Sequence, residues 1–247
     1  MTRLRSLVLI HGLMGTLNNL QLATSRSVYH AFAPDLLGYG QQAHRLSANL
    51  SLSDQVDYLA ELIATETGQP VILLGHSVGG AIAMLLADHY PERVSAVVNV
   101  EGNFTLNDAF WSASVAKQPV EEVEALIDGF HADPAAWLAR AGVEPNTERL
   151  AEAERWLACQ GGATVRAMGR AVVEATGVPE YLRILRRVFE RTPVHLVAGE
   201  RSRDGWDVPD WALDAAASVT VMPGVGHMMM LEDPAGFGRM VAGLLDR

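Results

Sequence analysis

The stretch Gly75-His76-Ser77-Val78-Gly79 sets a serine between two glycines, after the apolar run VILLG (71–75) and before an alanine-rich segment that starts at Gly80. A serine attacks a carbonyl only if its hydroxyl is exposed beside a base and beside N–H donors that receive the developing oxyanion. G-x-S-x-G between a strand and a helix meets that need, because the flanking glycines permit a sharp turn that a side chain would obstruct. Ser77 is therefore the expected nucleophile. The N-terminus of the next helix favours negative charge and supplies the Val78 N–H as one donor. A second donor belongs in the loop after an earlier central strand, where LVLIHGLMG offers the Leu13 N–H just past His11-Gly12. The base should lie on a loop beyond the last strand, and PGVGHMMMLEDP puts His227 there, the best placed of eight histidines. His11 reads as a hydrogen-bonded structural residue. Met14, Phe104, Phe110, Trp111 and Met228 suggest an apolar pocket.

These residues require a frame. Short apolar, β-branched runs occur at 6–10, 28–33, 71–75, 94–100, 194–199 and 218–222, separated by longer helical patterns. Strands buried on both faces read this way, so the expected class is α/β, a mostly parallel sheet of about six strands flanked by helices. Ser53 is a candidate cap for a helix running to about Thr67, residues 80–89 form another helix, and Asp233-Pro234 opens the last. Between 104 and 191 the alternation stops and only helical patterns remain, too long an interval for one crossover helix. The expected organisation is thus a core of 1–103 and 192–247 with an inserted helical lid at 104–191. Trp111, Trp137 and Trp156 fall in that insertion, as lid core or pocket wall. Arg183, Arg186, Arg187 and Arg191 there read as a solvated helix face.

Composition narrows the partners. Hydrophobic residues make up 49% of the 247, enough for a sizeable core. The formal charge of −10 repels nucleic acid and anionic membranes and leaves no basic stripe for phosphate binding. Cys159 is the only cysteine and has no internal disulfide partner. Arg3 and Arg5 precede an apolar run that ends at His11, shorter than a signal-peptide core, and no run approaches the roughly 18 residues of a membrane span. The expectation is a soluble cytoplasmic protein with a small-molecule substrate. There is no HExxH, Cys/His cluster or phosphate-binding glycine loop, so no metal or organic cofactor is expected.

HGLMG (11–15), PDLLGYG (34–40), GHSVGG (75–80) and GVGHMMMLEDP (224–234), in this order, resemble the α/β-hydrolases over essentially the whole chain. The resemblance implies Ser77 as nucleophile, His227 as base, Leu13 and Val78 as oxyanion donors, and Asp35 as a loop-organising residue. Its usual acid position, three residues beyond Gly199, is here Ser202. The expected acid is instead Glu101, at the tip of VSAVVNV, as in those branches of the family that carry it on the neighbouring strand; Asp204 is the alternative. Family members usually begin with a two-stranded hairpin, which this chain omits, so six core strands are expected, with the 28–33 strand at an edge or covered by a partner in a homodimer. The implied activity is a serine hydrolase acting on an ester, thioester or lactone. Carbon–carbon bond hydrolysis of diketones on the same triad and a ligand-receptor role are the alternatives. A serine rather than an aspartate at the elbow argues against dehalogenase and epoxide hydrolase chemistry.

Overall fold

A computed structural model of the chain describes residues 5–18 and 29–245. Six strands, β1 (Arg5–Ile10), β2 (Tyr29–Phe32), β3 (Val71–His76), β4 (Val94–Val100), β5 (Val194–Gly199) and β6 (Ser218–Met222), form one sheet in the order β2-β1-β3-β4-β5-β6. All five pairings are parallel. Every residue of β3 is buried, whereas β2 and β6, at the edges, are half exposed. This is why the central strands read as unbroken Val, Ile and Leu: helices cover both faces, and each such side chain withdrawn from water contributes roughly 1.5–3 kcal/mol. Arg3 and Val28 lie outside the described residues.

The helices are α1 (Leu52–Glu66), α2 (Val78–His89), α3 (Phe110–Lys117), α4 (Val120–Ala132), α5 (Pro134–Arg140), α6 (Thr147–Leu157), α7 (Gly162–Thr176), α8 (Pro179–Arg191), α9 (Asp210–Ala215), α10 (Met229–Glu232) and α11 (Pro234–Leu245). The cap of α1 is Ser51, not Ser53. Ser51 Oγ accepts the Asp54 N–H while the Asp54 carboxylate accepts the Ser51 N–H at 2.8 Å, a reciprocal box that Ser53 has no acid in position to form.

Six helices, α3 to α8, fill the interval between β4 and β5. α8 packs against α2, and Arg187 and Arg191 both pair with Asp88 of α2. Arg183 pairs with Glu180, and Arg186 lies over the Trp211 ring. The arginine-rich face of α8 is thus largely neutralised. No helix among the described residues is long and apolar enough to cross a membrane.

Candidate active site

Ser77 stands between β3 and α2 with φ 54° and ψ −122°, a backbone conformation that costs a side-chain-bearing residue on the order of 1–3 kcal/mol. The turn is held at both ends: the Ser77 N–H donates to the Val100 carbonyl at 3.0 Å, and the Gly80 N–H to the Ser77 carbonyl at 2.8 Å. The two motif glycines allow close backbone approach. A Cβ on Gly75 would strike the Gly79 carbonyl, and one on Gly79 the Ile10 and His11 carbonyls. The elbow thereby sits directly against the end of β1, where the His11-Gly12 turn begins.

That turn is pinned by buried groups. His11 donates from Nδ1 to the Gly12 carbonyl at 2.9 Å, and its Nε2 accepts the Leu36 N–H at 3.4 Å. Burial pushes its pKa down to about 4, so it is a neutral structural histidine. Tyr39, whose ring meets His11 edge-on, donates its hydroxyl to the Leu13 carbonyl at 2.9 Å. The Gly15 N–H reaches Gln160 Oε1 at 2.9 Å, and Trp156 packs over Gly15, so the turn is tied to the helices of the insertion. Asp35 accepts the Gln41 N–H in the PDLLGYG loop.

On the opposite side, His227 Nδ1 lies 2.6 Å from Glu101 Oε2. Glu101 ends β4 with φ 43°, and Asn99 supports that turn by accepting the Gly102 N–H through its side chain at 2.7 Å. The second carboxylate oxygen, Oε1, accepts the Gly199 N–H at 2.8 Å and the Ser202 hydroxyl at 2.6 Å. Burial opposes ionisation of Glu101, but hydrogen bonds from His227, Ser202 and Gly199 hold the carboxyl below its usual range. Asp204, the alternative acid, is 91% exposed and takes Arg203 as its partner. Ser202, at the position where the family resemblance puts an acid, donates its hydroxyl to Glu101 instead.

Two further features hold the histidine loop, neither marked by a sequence motif. His76 donates from Nε2 to the His227 carbonyl at 3.0 Å, with its ring 4.6 Å from the His227 ring. Burial, then the neighbouring His227, depress its pKa well below normal, so it remains neutral. Further along, Glu232 accepts the Gly226 N–H at 2.7 Å and pairs with Arg201. Arg201 continues to the Gly142 carbonyl, and Arg149 of α6 reaches the Glu232 carbonyl at 2.7 Å. These arginines fasten the His227 loop to the insertion.

Ser77, His227 and Glu101 line one cavity of about 620 Å³ with Leu13. Of the expected pocket residues, Met14, Phe110, Trp111 and Met228 line it, Phe110 at the rim with 76% exposure. Phe104 does not. It is fully buried, its apolar ring packed on the Phe189 and Trp206 rings rather than on the cavity. Further lining comes from Trp137 on α5, one of the three tryptophans expected as lid core or pocket wall, and from residues not foreseen, including Phe130 on α4 and Arg140 on α5, with Asp108, Ser112 and Trp206. Trp137 and Arg140 recur at i and i+3, a sequence signal for a shared helix face but not for what that face covers. No group of three or more His, Cys, Asp or Glu among the described residues is arranged to hold a metal ion.

The sequence profile of the alpha/beta hydrolase family matches residues 7–239. Lipase 1 of Psychrobacter immobilis is 34% identical over 113 residues, 45% of this chain and 34% of that one. The chain thus aligns with about a third of that lipase. A Bacillus subtilis protein named for 2-succinyl-6-hydroxy-2,4-cyclohexadiene-1-carboxylate synthase is 29% identical over 224 residues, 85% of this chain and 79% of that one. In structure, a carboxylesterase-related chain from Nitrososphaera gargenis superposes with a TM-score of 0.74 at 17% identity, covering 100% of this chain and 91% of its own. That last likeness concerns the fold alone.

Proposed function

From the premise that the chain belongs to the alpha/beta hydrolase family, we propose that it is a serine hydrolase cleaving small, largely apolar esters, thioesters or lactones through an acyl-enzyme. Ser77 Oγ attacks the carbonyl carbon as His227 Nε2 takes the hydroxyl proton. The Leu13 and Val78 N–H groups receive the oxyanion, and His227 returns the proton to the leaving group. Water then attacks the acyl-enzyme with the same histidine as base, releasing the acid and restoring Ser77. Glu101 keeps the proton on Nδ1, so that Nε2 offers its lone pair, and stabilises the imidazolium that follows.

The observation that carries this reading is the 2.6 Å Glu101–His227 contact beside a cavity that Ser77 also lines. An ionised carboxylate there fixes one tautomer and leaves the other ring nitrogen for the serine. The apolar wall supports an apolar acyl or alcohol portion. A fluorophosphonate probe should label Ser77, and purified protein should turn over p-nitrophenyl acyl esters, both lost in Ser77→Ala. Along that series each buried methylene adds about 0.8 kcal/mol, roughly fourfold in kcat/KM, until the chain fills the cavity. Turnover of a vinylogous diketone with none of the esters would replace this reading by carbon–carbon hydrolysis. Tight ligand binding without turnover would replace it by a receptor role.

A further inference from the structure

We propose that Arg140 recognises a carboxylate on the substrate, so that the ester opened at Ser77 carries a negative charge besides its scissile carbonyl. The inference rests on the ester-hydrolase reading and adds a substrate class to it. Among the described residues, Arg140 is the one Lys or Arg lining the cavity. Its guanidinium lies over the Phe130 ring, 5.7 Å from the centroid, and has no carboxylate or hydrogen-bond partner among the described residues. Arg140 is exposed, and among the described residues Arg45, Arg149, Arg166 and Arg186 likewise pair with no carboxylate; what sets Arg140 apart is its place in the cavity lining. A basic residue in the last turn of α5 suits the helix dipole, but that does not require it to face the cavity.

The cavity's acidic groups are already occupied. Glu101 accepts from His227, Ser202 and Gly199. Asp108 accepts three backbone N–H groups, those of Phe104, Thr105 and Asp207. Neither acid pairs with Arg140, which is open both to solvent and to a ligand in the cavity. A guanidinium presents a planar fork that matches a carboxylate, and its stacking on Phe130 limits the freedom lost on pairing. Ser112, buried on α3 in the same lining, offers a hydroxyl with no hydrogen bond among the described residues. Asp108 on the same wall disfavours a doubly charged phosphate more than a single carboxylate.

The charge belongs either to the acyl part or to the leaving group, and paired substrates separate the two. For the acyl arm, kcat/KM is measured for 4-nitrophenyl hemiadipate against 4-nitrophenyl hexanoate. For the other arm, 4-acetoxybenzoate is measured against 4-acetoxybenzamide. The readout is the anionic-to-neutral ratio in wild type, Arg140→Gln and Arg140→Lys, with Tm measured to establish folding. The expected result is a ratio about tenfold lower in Arg140→Gln in one arm, partly restored in Arg140→Lys, the scale of one charge-assisted hydrogen-bonded pair at a partly exposed site. Neutral esters turned over with both ratios unchanged by Arg140→Gln would overturn the carboxylate inference and leave the hydrolase reading intact. No turnover of any ester and no fluorophosphonate labelling of Ser77 would overturn both.

Discussion

Glu101→Gln is the sharpest test of the proposed mechanism, because the structure dictates how the amide must sit. Two donors, the Gly199 N–H and the Ser202 hydroxyl, converge on Oε1 at 2.8 and 2.6 Å. A glutamine satisfies both only with its carbonyl oxygen in that place, which leaves its NH₂ facing His227 Nδ1, where Oε2 now lies at 2.6 Å. The NH₂ then donates to Nδ1 and forces the ring proton onto Nε2. That tautomer has no lone pair for the Ser77 proton, and the imidazolium loses its counter-charge. The same substitution of acid by amide in a known protease triad lowers turnover about 10⁴-fold, equivalent to about 5.5 kcal/mol in the barrier. Glu101→Gln should therefore lose at least two orders of magnitude in kcat on a p-nitrophenyl ester at neutral pH, with KM little changed. Asp204→Asn should lose less than tenfold. The reverse ranking, or a Glu101→Gln enzyme within tenfold of wild type, would refute the tautomer argument and the assignment of the acid together.

Three further outcomes follow from the same geometry. Gly79→Ala puts a Cβ against the Ile10 and His11 carbonyls. Because backbone must move, the cost should reach at least about 3 kcal/mol, read as a large fall in Tm or loss of soluble protein. Glu232→Ala leaves the Gly226 N–H without its acceptor and Arg201 without its carboxylate. Stability should drop by about 1–3 kcal/mol, and kcat should fall because the His227 loop loosens; an unchanged Tm would show that the loop does not depend on this clamp. Asp88 is opposed in its ionisation by burial, but Arg187 and Arg191 hold its carboxyl below the usual range. A depressed folded pKa contributes stability above the unfolded value near 3.9, which is lost as pH falls through the folded one. The Tm gap between wild type and Asp88→Asn should therefore be steady from about pH 5 to 8 and close on acidification below about pH 4. A gap that widens in acid would contradict the ion pairs.

What the sequence made legible was whatever has a short-range cause. Both-faces burial writes β3 and β4 as continuous apolar runs, and the strain of the elbow writes glycines around Ser77 at fixed spacing. The insertion is less legible, since the direction a helix face points depends on partners far along the chain. Trp111, Trp137 and Trp156 have the same character in sequence, yet the first two line the cavity and the third covers Gly15. Phe104 shows the same limit: its apolar character suits a pocket wall and the core alike, and it packs in the core with Phe189 and Trp206.

Glu101 and Asp204 differ in a local cause that the sequence carries. Both residues follow strands that end on the same edge of a parallel sheet, so distance along the chain does not separate them. Turn chemistry does. Glu101, just past the tip of β4, has a positive φ, which is uncommon for a residue other than glycine and gains from support by its neighbours. Asn99 provides it by accepting the Gly102 N–H, and Gly102 could not be larger, since a Cβ there would meet Gly80 and the Asn99 amide. The motif Asn-Val-Glu-Gly is thus a strand end built to turn a carboxylate out of line. Around Asp204 the chain instead forms a short exposed helical turn, Arg203–Gly205, with Arg203 as a partner in water. On the proposed mechanism, Asn two residues before and Gly one residue after the carboxylate, at the end of a buried strand, thus mark Glu101 rather than Asp204 as the residue placed to orient His227.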